Sequence, residues 1–426
     1  MNHRTAQGPA TPGAETPDTE TPGAETADNE AQDIKTPGSE TSETSDAEMR
    51  QAETSDAGMR QAETSDAGMR PAETSDAGMR PAETSDVGMR QAETSDVEAV
   101  GSVAPAERLR AALGRVLDGL PPRQAAGAVE RLIANYRGAT PTDAPILRDR
   151  ADVVAYAAYR MPATFEAVRS ALAEFAGTLP EGWAPASHVD VGGGTGAATW
   201  AVTDTWAGVR PVTVLDWAEP ALALGRELAT ANPALREARW QRSRIGAGLT
   251  VESTDLVTVS YVLNELDEAA RAALVTAAAA AARSVVIVEA GTPAGYARII
   301  EARDRLIEAG LRIAAPCPHS AACPIVPGTD WCHFSARVTR SSLHRQVKGG
   351  SLPYEDEKFS YVAATRLPAA PAPARVVRRP QIRKGQVLLD LCEADEQLRR
   401  TTVTKRHGDL YRAARDADWG DPWPPA

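Results

Sequence analysis

Residues 187–202, SHVDVGGGTGAATWAV, restrict the folds open to this chain more than any other stretch. A short apolar run enters a turn with glycine at 192, 193, 194 and 196, and a helical pattern follows. Such a turn lets backbone N–H groups and a helix N-terminus approach a ligand closely. The alternation then recurs. PVTVLDWAEPAL reads as a strand ending in Asp216, DLVTVSYVLNEL as a buried strand with a polar exit at Asn264 and Glu265, and RSVVIVEAG as a strand with Glu289 near its end. Alanine-rich helices are expected over 222–231 and 268–282. This order predicts an α/β fold, a doubly wound Rossmann-like parallel sheet whose ligand sits at the carboxyl ends of the strands.

The turn spells D-x-G-x-G-x-G from Asp190, through Gly192, Gly194 and Gly196. An acidic residue two positions before the first glycine favours S-adenosylmethionine, whose charged amino-acid end it can anchor directly or through a water. Ala197 also completes a G-x-G-x-x-A pattern, so a dinucleotide remains open. Asp216, about 20 residues beyond Gly196, suits ribose hydroxyls under either reading. Asn264 and Glu265 are the catalytic candidates nearest a transferable methyl group; their ordinary role would be to cap the next helix. No Asn/Asp-Pro-Pro-Tyr clamp follows that strand, and no acidic residue ends ARWQRSRIG, the third strand position.

Upstream, residues 1–103 are expected to be a disordered acidic tail. From about Ser42 a ten-residue unit, AETSDAGMR followed by Gln or Pro, repeats with Met49, Met59, Met69, Met79 and Met89 in register. One sizeable apolar side chain per unit cannot offset the entropy of ordering it. Residues 104–180 show apolar residues at helical spacing and predict a helical subdomain, with Pro162 breaking a helix. Residues 181–311 form the Rossmann-like domain and 312–426 a cysteine-rich, basic region. Residues 1–100 carry a net charge of −15 against −12 for the whole, so the remainder is slightly positive. Positive charge concentrates between His333 and Arg412, where 16 Lys and Arg face 8 Asp and Glu. That suits a polyanionic partner or a solvated face. The acidic N-terminus lacks the composition of a leader, which leads to an expected cytoplasmic location.

Three of the four cysteines, Cys317, Cys323 and Cys332, are spaced C-x5-C-x8-C in one proline-rich stretch. Cys392 falls on QVLLDLC, which with LRRTTVTKR and the turn EADE predicts a β-hairpin after the Pro/Ala linker LPAAPAPA. A small C-terminal β-module could thus bring the fourth thiol to the other three. Four thiolates suit tetrahedral zinc or a [4Fe–4S] cluster, and the spacing leaves both open. His319 and His333 are further candidate ligands, Trp331 and Phe334 candidate core, and YEDEK a candidate salt-bridge network. Arg337, Arg340, His344 and Lys348 recur at steps of three or four, with Arg345 beside them, as one face of a helix following a phosphate backbone would.

The strings DWCHF and LPYEDEKFSY, with YRMPATFEAVRSAL, DVGGGTGAATWA, SYVLNEL and the LDLC hairpin, resemble the methyltransferase-like proteins of the small ribosomal subunit. These are mitochondrial assembly factors with bacterial relatives, and the resemblance covers about residues 105–423. It implies a [4Fe–4S] cluster on Cys317, Cys323, Cys332 and Cys392 and binding to small-subunit rRNA during assembly, beside the S-adenosylmethionine read from the glycine turn; the chain is expected to be monomeric outside the ribosome. The residues alone leave two functions standing: an assembly factor that binds cofactor and RNA, and an active rRNA methyltransferase whose metal site, possibly zinc, is only structural. A redox role has no support beyond the thiols.

Overall fold

The computed structural model describes residues 103–118, 120–137, 149–326, 328–343, 345 and 352–425. The acidic repeats, His344 and Lys348 lie outside them. Among the described residues three helices come first: α1 (Pro105–Asp118), α2 (Pro122–Arg137) and α3 (Arg150–Ala176). The α3 helix starts where the Asp149 carboxylate accepts the Asp152 N–H at 2.9 Å. It then runs through Pro162 without ending, which corrects the expected break. Proline removes one N–H, and the i−4 residue here is Ala158. Burial of Met161, Phe165, Val168, Leu172 and Phe175 on the same helix outweighs that loss.

The main sheet is built from β1 (His188–Val191), β2 (Val212–Asp216), β3 (Arg239–Arg242), β4 (Thr254–Ser260) and β5 (Ala282–Ala290). Between them lie α4 (Ala197–Thr205), α5 (Glu219–Ala229) and α6 (Glu268–Ala281); α7 (Pro293–Glu308) follows β5. Then come β6 (Arg312–Ala315), β7 (Phe334–Thr339) and β8 (Tyr354–Thr365). The order is β3-β2-β1-β4-β5-β8-β6, with β7 also on β8. Neighbours pair in parallel from β3 to β5. β8 then enters antiparallel to β5, β6 and β7. The sheet is therefore mixed, not wholly parallel as expected, around a Rossmann-like doubly wound core. Side chains sort by the two-residue period of a strand. Val212, Val214, Val286 and Val288 pack with α3, α4 and α5, whereas Leu215, Val285 and Ile287 pack with α6 and α7. The order reverses between β1 and β4, which places a crevice over the carboxyl ends of those strands.

The expected helix does not run through Arg337 and Arg340; of that stretch Ser342, Leu343 and Arg345 are helical, and His344 and Lys348 lie outside the described residues. Arg337 lies on β7, whose alternating burial puts Phe334, Ala336 and Val338 inside and Arg337 outside. The steps of three and four between the arginines masked this two-residue period. YEDEK opens β8 and does form ion pairs: Glu355 with Arg340, Asp356 with Arg337 and Glu357 with Arg160.

A second, antiparallel sheet comprises β9 (Ala374–Val376), β10 (Gln381–Arg383), β11 (Gln386–Glu393), β12 (Leu398–Thr404) and β13 (Pro422–Trp423). A short helix, α8 (Asp409–Asp416), packs on it. The predicted hairpin is β11–β12, with Cys392 opposite Leu398. On its other edge Cys392 stands opposite Arg375 of β9.

Candidate functional site

The glycine turn leaves β1 under tight control. Gly192 N–H donates to Leu215 O at 2.7 Å, and Gly196 N–H to Gly193 O at 2.7 Å. Gly192, Gly194 and Gly196 hold φ of +69°, +51° and +85°. They do different work. A Cβ on Gly192 would lie 2.1 Å from Val262, and one on Gly196 2.6 Å from Trp240, so both glycines serve packing. A Cβ on Gly194 would meet nothing nearer than Asp216 Oδ2 at 3.8 Å. Gly194 faces the open crevice.

Asp216 closes the turn from the end of β2. Its Oδ2 accepts the Gly194 N–H at 2.9 Å and its Oδ1 the Ala218 N–H at 2.8 Å. Burial raises this carboxyl, and those N–H donors partly offset the rise. Asp190 is wholly buried. Its Oδ1 accepts the Thr258 hydroxyl at 2.7 Å, and Oδ2 has no partner. Burial, with a smaller push from Asp216, raises its carboxyl to about 7. Oδ2 packs beneath the turn, where a Cβ on Gly193 would lie 2.5 Å from it, so the open face of Gly194 is what the turn offers a ligand.

Asn264 and Glu265 lie on a single turn after β4. The cap of α6 belongs to Asp267, which accepts the Ala270 N–H at 2.8 Å, so neither candidate is needed for capping. Glu265 opens to solvent, yet the surrounding protein mass, then Asp216 and Glu289, push its carboxyl up to about 7. Sequence reading missed two supports. Glu289 Oε1 accepts the Leu263 N–H at 2.9 Å, and Tyr261 adopts a φ of +58° with its hydroxyl 3.1 Å from Glu357. The polar end of RSVVIVEAG signalled the first; nothing in the sequence signalled the second.

The Asp190 shift predicts a pH signature. A carboxyl raised in the folded state contributes stability below about pH 4 and loses it as pH rises to about 7. Asp190→Asn keeps the acceptor for Thr258 and cannot ionise. Its stability relative to the parent chain is expected to grow from pH 4 to 7 by on the order of 2–4 kcal/mol. Urea unfolding at pH 5 and pH 8 measures this; a difference that stays constant with pH would refute the buried, protonated carboxyl.

The four cysteines are all free and line one cavity, with Tyr296, Arg303 and Arg375 among its other walls. Three come from the segment between β6 and β7, and the fourth from β11. That segment is pinned by Trp331 Nε1–H to Gly291 O at 2.9 Å and Ser360 O–H to Cys332 O at 2.7 Å. The Tyr296 hydroxyl lies 3.2 Å from Cys323 Sγ, and His319 Nε2 lies 3.8 Å from Cys392 Sγ. Burial pushes Cys392 up to about 12, with Cys317 and Cys323 adding to it, and raises Cys317 and Cys332 too. Among the described residues, no group of three or more His, Cys, Asp or Glu is drawn together as a ligand set for a metal ion. The shared cavity and its all-thiol donor set nonetheless fit a thiolate-held metal centre. His333 is packed between Trp331 and Trp419, at centroid distances of 5.2 and 4.4 Å, so it serves the aromatic core. Phe334 is core as expected, against Phe359 and Tyr361.

The candidate RNA contacts are less free than their sequence suggested. Arg337 forks onto Asp356 at 2.9 and 3.2 Å. Arg340 is nearly buried against Glu355, and Arg345 donates to Arg340 O at 3.2 Å.

Comparison with known proteins bears on the whole assembly. The human mitochondrial ribosome assembly protein METTL17 is 29% identical over 289 residues, 62% of this chain and 61% of that protein. A mitochondrial Rsm22-cox11 tandem protein of Schizosaccharomyces pombe is 29% identical over 182 residues, 33% of this chain and 24% of that protein. The chain thus spans less than two thirds of the length of these relatives. Solved structures similar to it include magnesium protoporphyrin IX methyltransferase from Synechocystis, at 16% identity and a TM-score of 0.32, covering 56% of this chain and 90% of that one. These relatives are mitochondrial by name, which corrects the expected cytoplasmic location. That expectation rested on the composition of a low-complexity N-terminus outside the shared region. A family model described as mitochondrial small ribosomal subunit Rsm22 matches residues 150–424, both sheets and all four cysteines included, and the chain belongs to that family.

Proposed function

We propose that the chain is a methyltransferase-like assembly factor of the small ribosomal subunit, which binds S-adenosylmethionine in the glycine crevice and a [4Fe–4S] cluster on its four cysteines. The observation that carries this reading is the convergence of Cys392, on the C-terminal hairpin, with Cys317, Cys323 and Cys332 on one cavity beside a Rossmann-like core. The names of the family and of its human relative supply the ribosomal setting. In this reading Gly192, Gly194 and Gly196 shape the cofactor crevice, Asp216 faces the ribose and Asp190 the amino-acid end. The four thiols tie the β6–β7 segment to the second sheet, making one surface for rRNA. Arg337, Arg340, Arg345 and Lys348 belong to that surface, on which Arg337 and Arg345 are exposed. The boundaries 1–103, 104–180, 181–311 and 312–426 divide the tail, helical, cofactor and metal-bearing parts, and the chain acts as a monomer outside the ribosome.

A second reading, an active rRNA methyltransferase with a structural metal, draws on Asn264 and Glu265, on the turn after β4, which the cap of α6 does not use. S-adenosylmethionine would supply the methyl group, and Glu265, held near neutrality, could take a proton from the acceptor.

Anaerobic purification with an absorption spectrum and iron, sulfide and zinc analysis tests the proposal. About four iron and four sulfide per chain are expected for a four-cysteine cluster. One zinc and no iron would leave the structural-metal reading; no metal would remove the centre from both. Methyl transfer to isolated small-subunit rRNA separates factor from enzyme.

A further inference from the structure

One buried charge beside the four-cysteine cavity is left largely unneutralised by the fold. Arg303, on α7, lines the cavity and is 1% exposed. Its Nη2 donates to His319 O at 3.2 Å and to Ala321 O, which holds the loop between Cys317 and Cys323. Its Nη1 lies 3.3 Å from the carboxylate of Asp304, whose side chain is 57% exposed. Its Nε–H is buried and has no partner. A guanidinium held out of water with a solvated carboxylate and an idle donor is costly, unless something anionic faces it.

The cavity supplies such an anion when loaded. Four thiolates around a divalent ion or a [4Fe–4S] core of the same charge sum to about −2. Arg375 also lines the cavity, but it is spent on Glu174, Pro316 O and Gly420 O. Arg303 alone of the two keeps a buried donor in hand. We propose that Arg303 is the counter-charge of an anionic four-thiolate metal centre, which it holds through its buried Nε–H. This rests on the metal reading above. The rival role is a clamp that only fixes the His319 and Ala321 carbonyls. The idle Nε–H favours the first, since a clamp on the two carbonyls needs only Nη2.

The test uses the full chain, purified anaerobically, as the parent, Arg303→Lys and Arg303→Gln. The readout is the half-time of metal release into excess EDTA, followed by absorbance and metal analysis. Lysine keeps charge and loses the fork; glutamine keeps a donor for the loop and loses charge. Arg303→Gln is expected to release metal about ten times faster or more, the usual effect of losing a supporting contact, and Arg303→Lys to stay within about threefold of the parent. Equal half-times for parent and Arg303→Gln would overturn the proposal. So would Arg303→Lys failing as badly as Arg303→Gln, which is the mark of a clamp. Asp304→Asn removes the competing surface carboxylate without touching the core, and is expected to leave the half-time equal or longer. A shorter one would count against the counter-charge. A parent chain that carries no metal overturns the metal reading itself, and is seen before any variant is made.

Discussion

Gly194→Asp is expected to abolish binding of S-adenosylmethionine while leaving the fold in place. Gly194 has a φ of +51°, a region that aspartate enters more readily than most residues, at a cost of roughly 1 kcal/mol. A Cβ there meets only Asp216 Oδ2 at 3.8 Å, so the side chain leaves the backbone without a clash. It would instead fill the crevice and set a second carboxylate against Asp216, which must turn away from Gly194 N–H. Calorimetry should show an affinity loss of at least about 100-fold, or roughly 2.7 kcal/mol. The melting temperature should move by only a few degrees. Gly196→Asp is the control. Its Cβ would lie 2.6 Å from Trp240, so it should lose stability as well as binding. Unchanged affinity in Gly194→Asp would remove the ligand from this crevice.

That division of labour among the glycines shows what the sequence could and could not convey. The strands were legible because β1, β2, β4 and β5 are short runs of buried β-branched residues, each followed by a helical pattern. The cysteine and hairpin spacings were legible because few residues of those types are spent elsewhere in the chain. β7 and β8 were not, because their outward positions hold charged residues whose spacing imitates a helix. The partners that make those charges useful are remote in sequence: Arg160 lies 197 residues from Glu357. Pro162 misled because a local rule was overridden by packing along the whole of α3. Which glycine faces the open crevice and which faces Trp240 depends on a side chain more than 40 residues away. The orphaned oxygen of Asp190 and the idle Nε–H of Arg303 are likewise properties of the assembled interior, not of any motif.

Arg375→Met is expected to unfasten the second sheet from the first. Arg375 is 2% exposed and joins three elements at once. Its Nε–H donates to Pro316 O at 3.0 Å, at the start of the cysteine segment. Its Nη1 donates to Gly420 O at 2.8 Å, and it pairs with Glu174 of α3. Methionine fills much of the volume but orphans two carbonyls and one carboxylate. Removing one partner of a buried pair costs about 3–5 kcal/mol, and the lower end applies because Glu174 is one-third exposed and can regain water. Glu174→Gln, which keeps an acceptor, should cost nearer 1 kcal/mol. Urea unfolding separates these sizes, and a separate early transition would show the second sheet melting alone. Arg375 also stands opposite Cys392 across β9 and β11, so under the proposed metal centre the same variant should lose metal as it loses stability. A variant as stable as the parent, with metal retained, would mean that the two sheets are joined by their apolar contacts and that this arginine is dispensable.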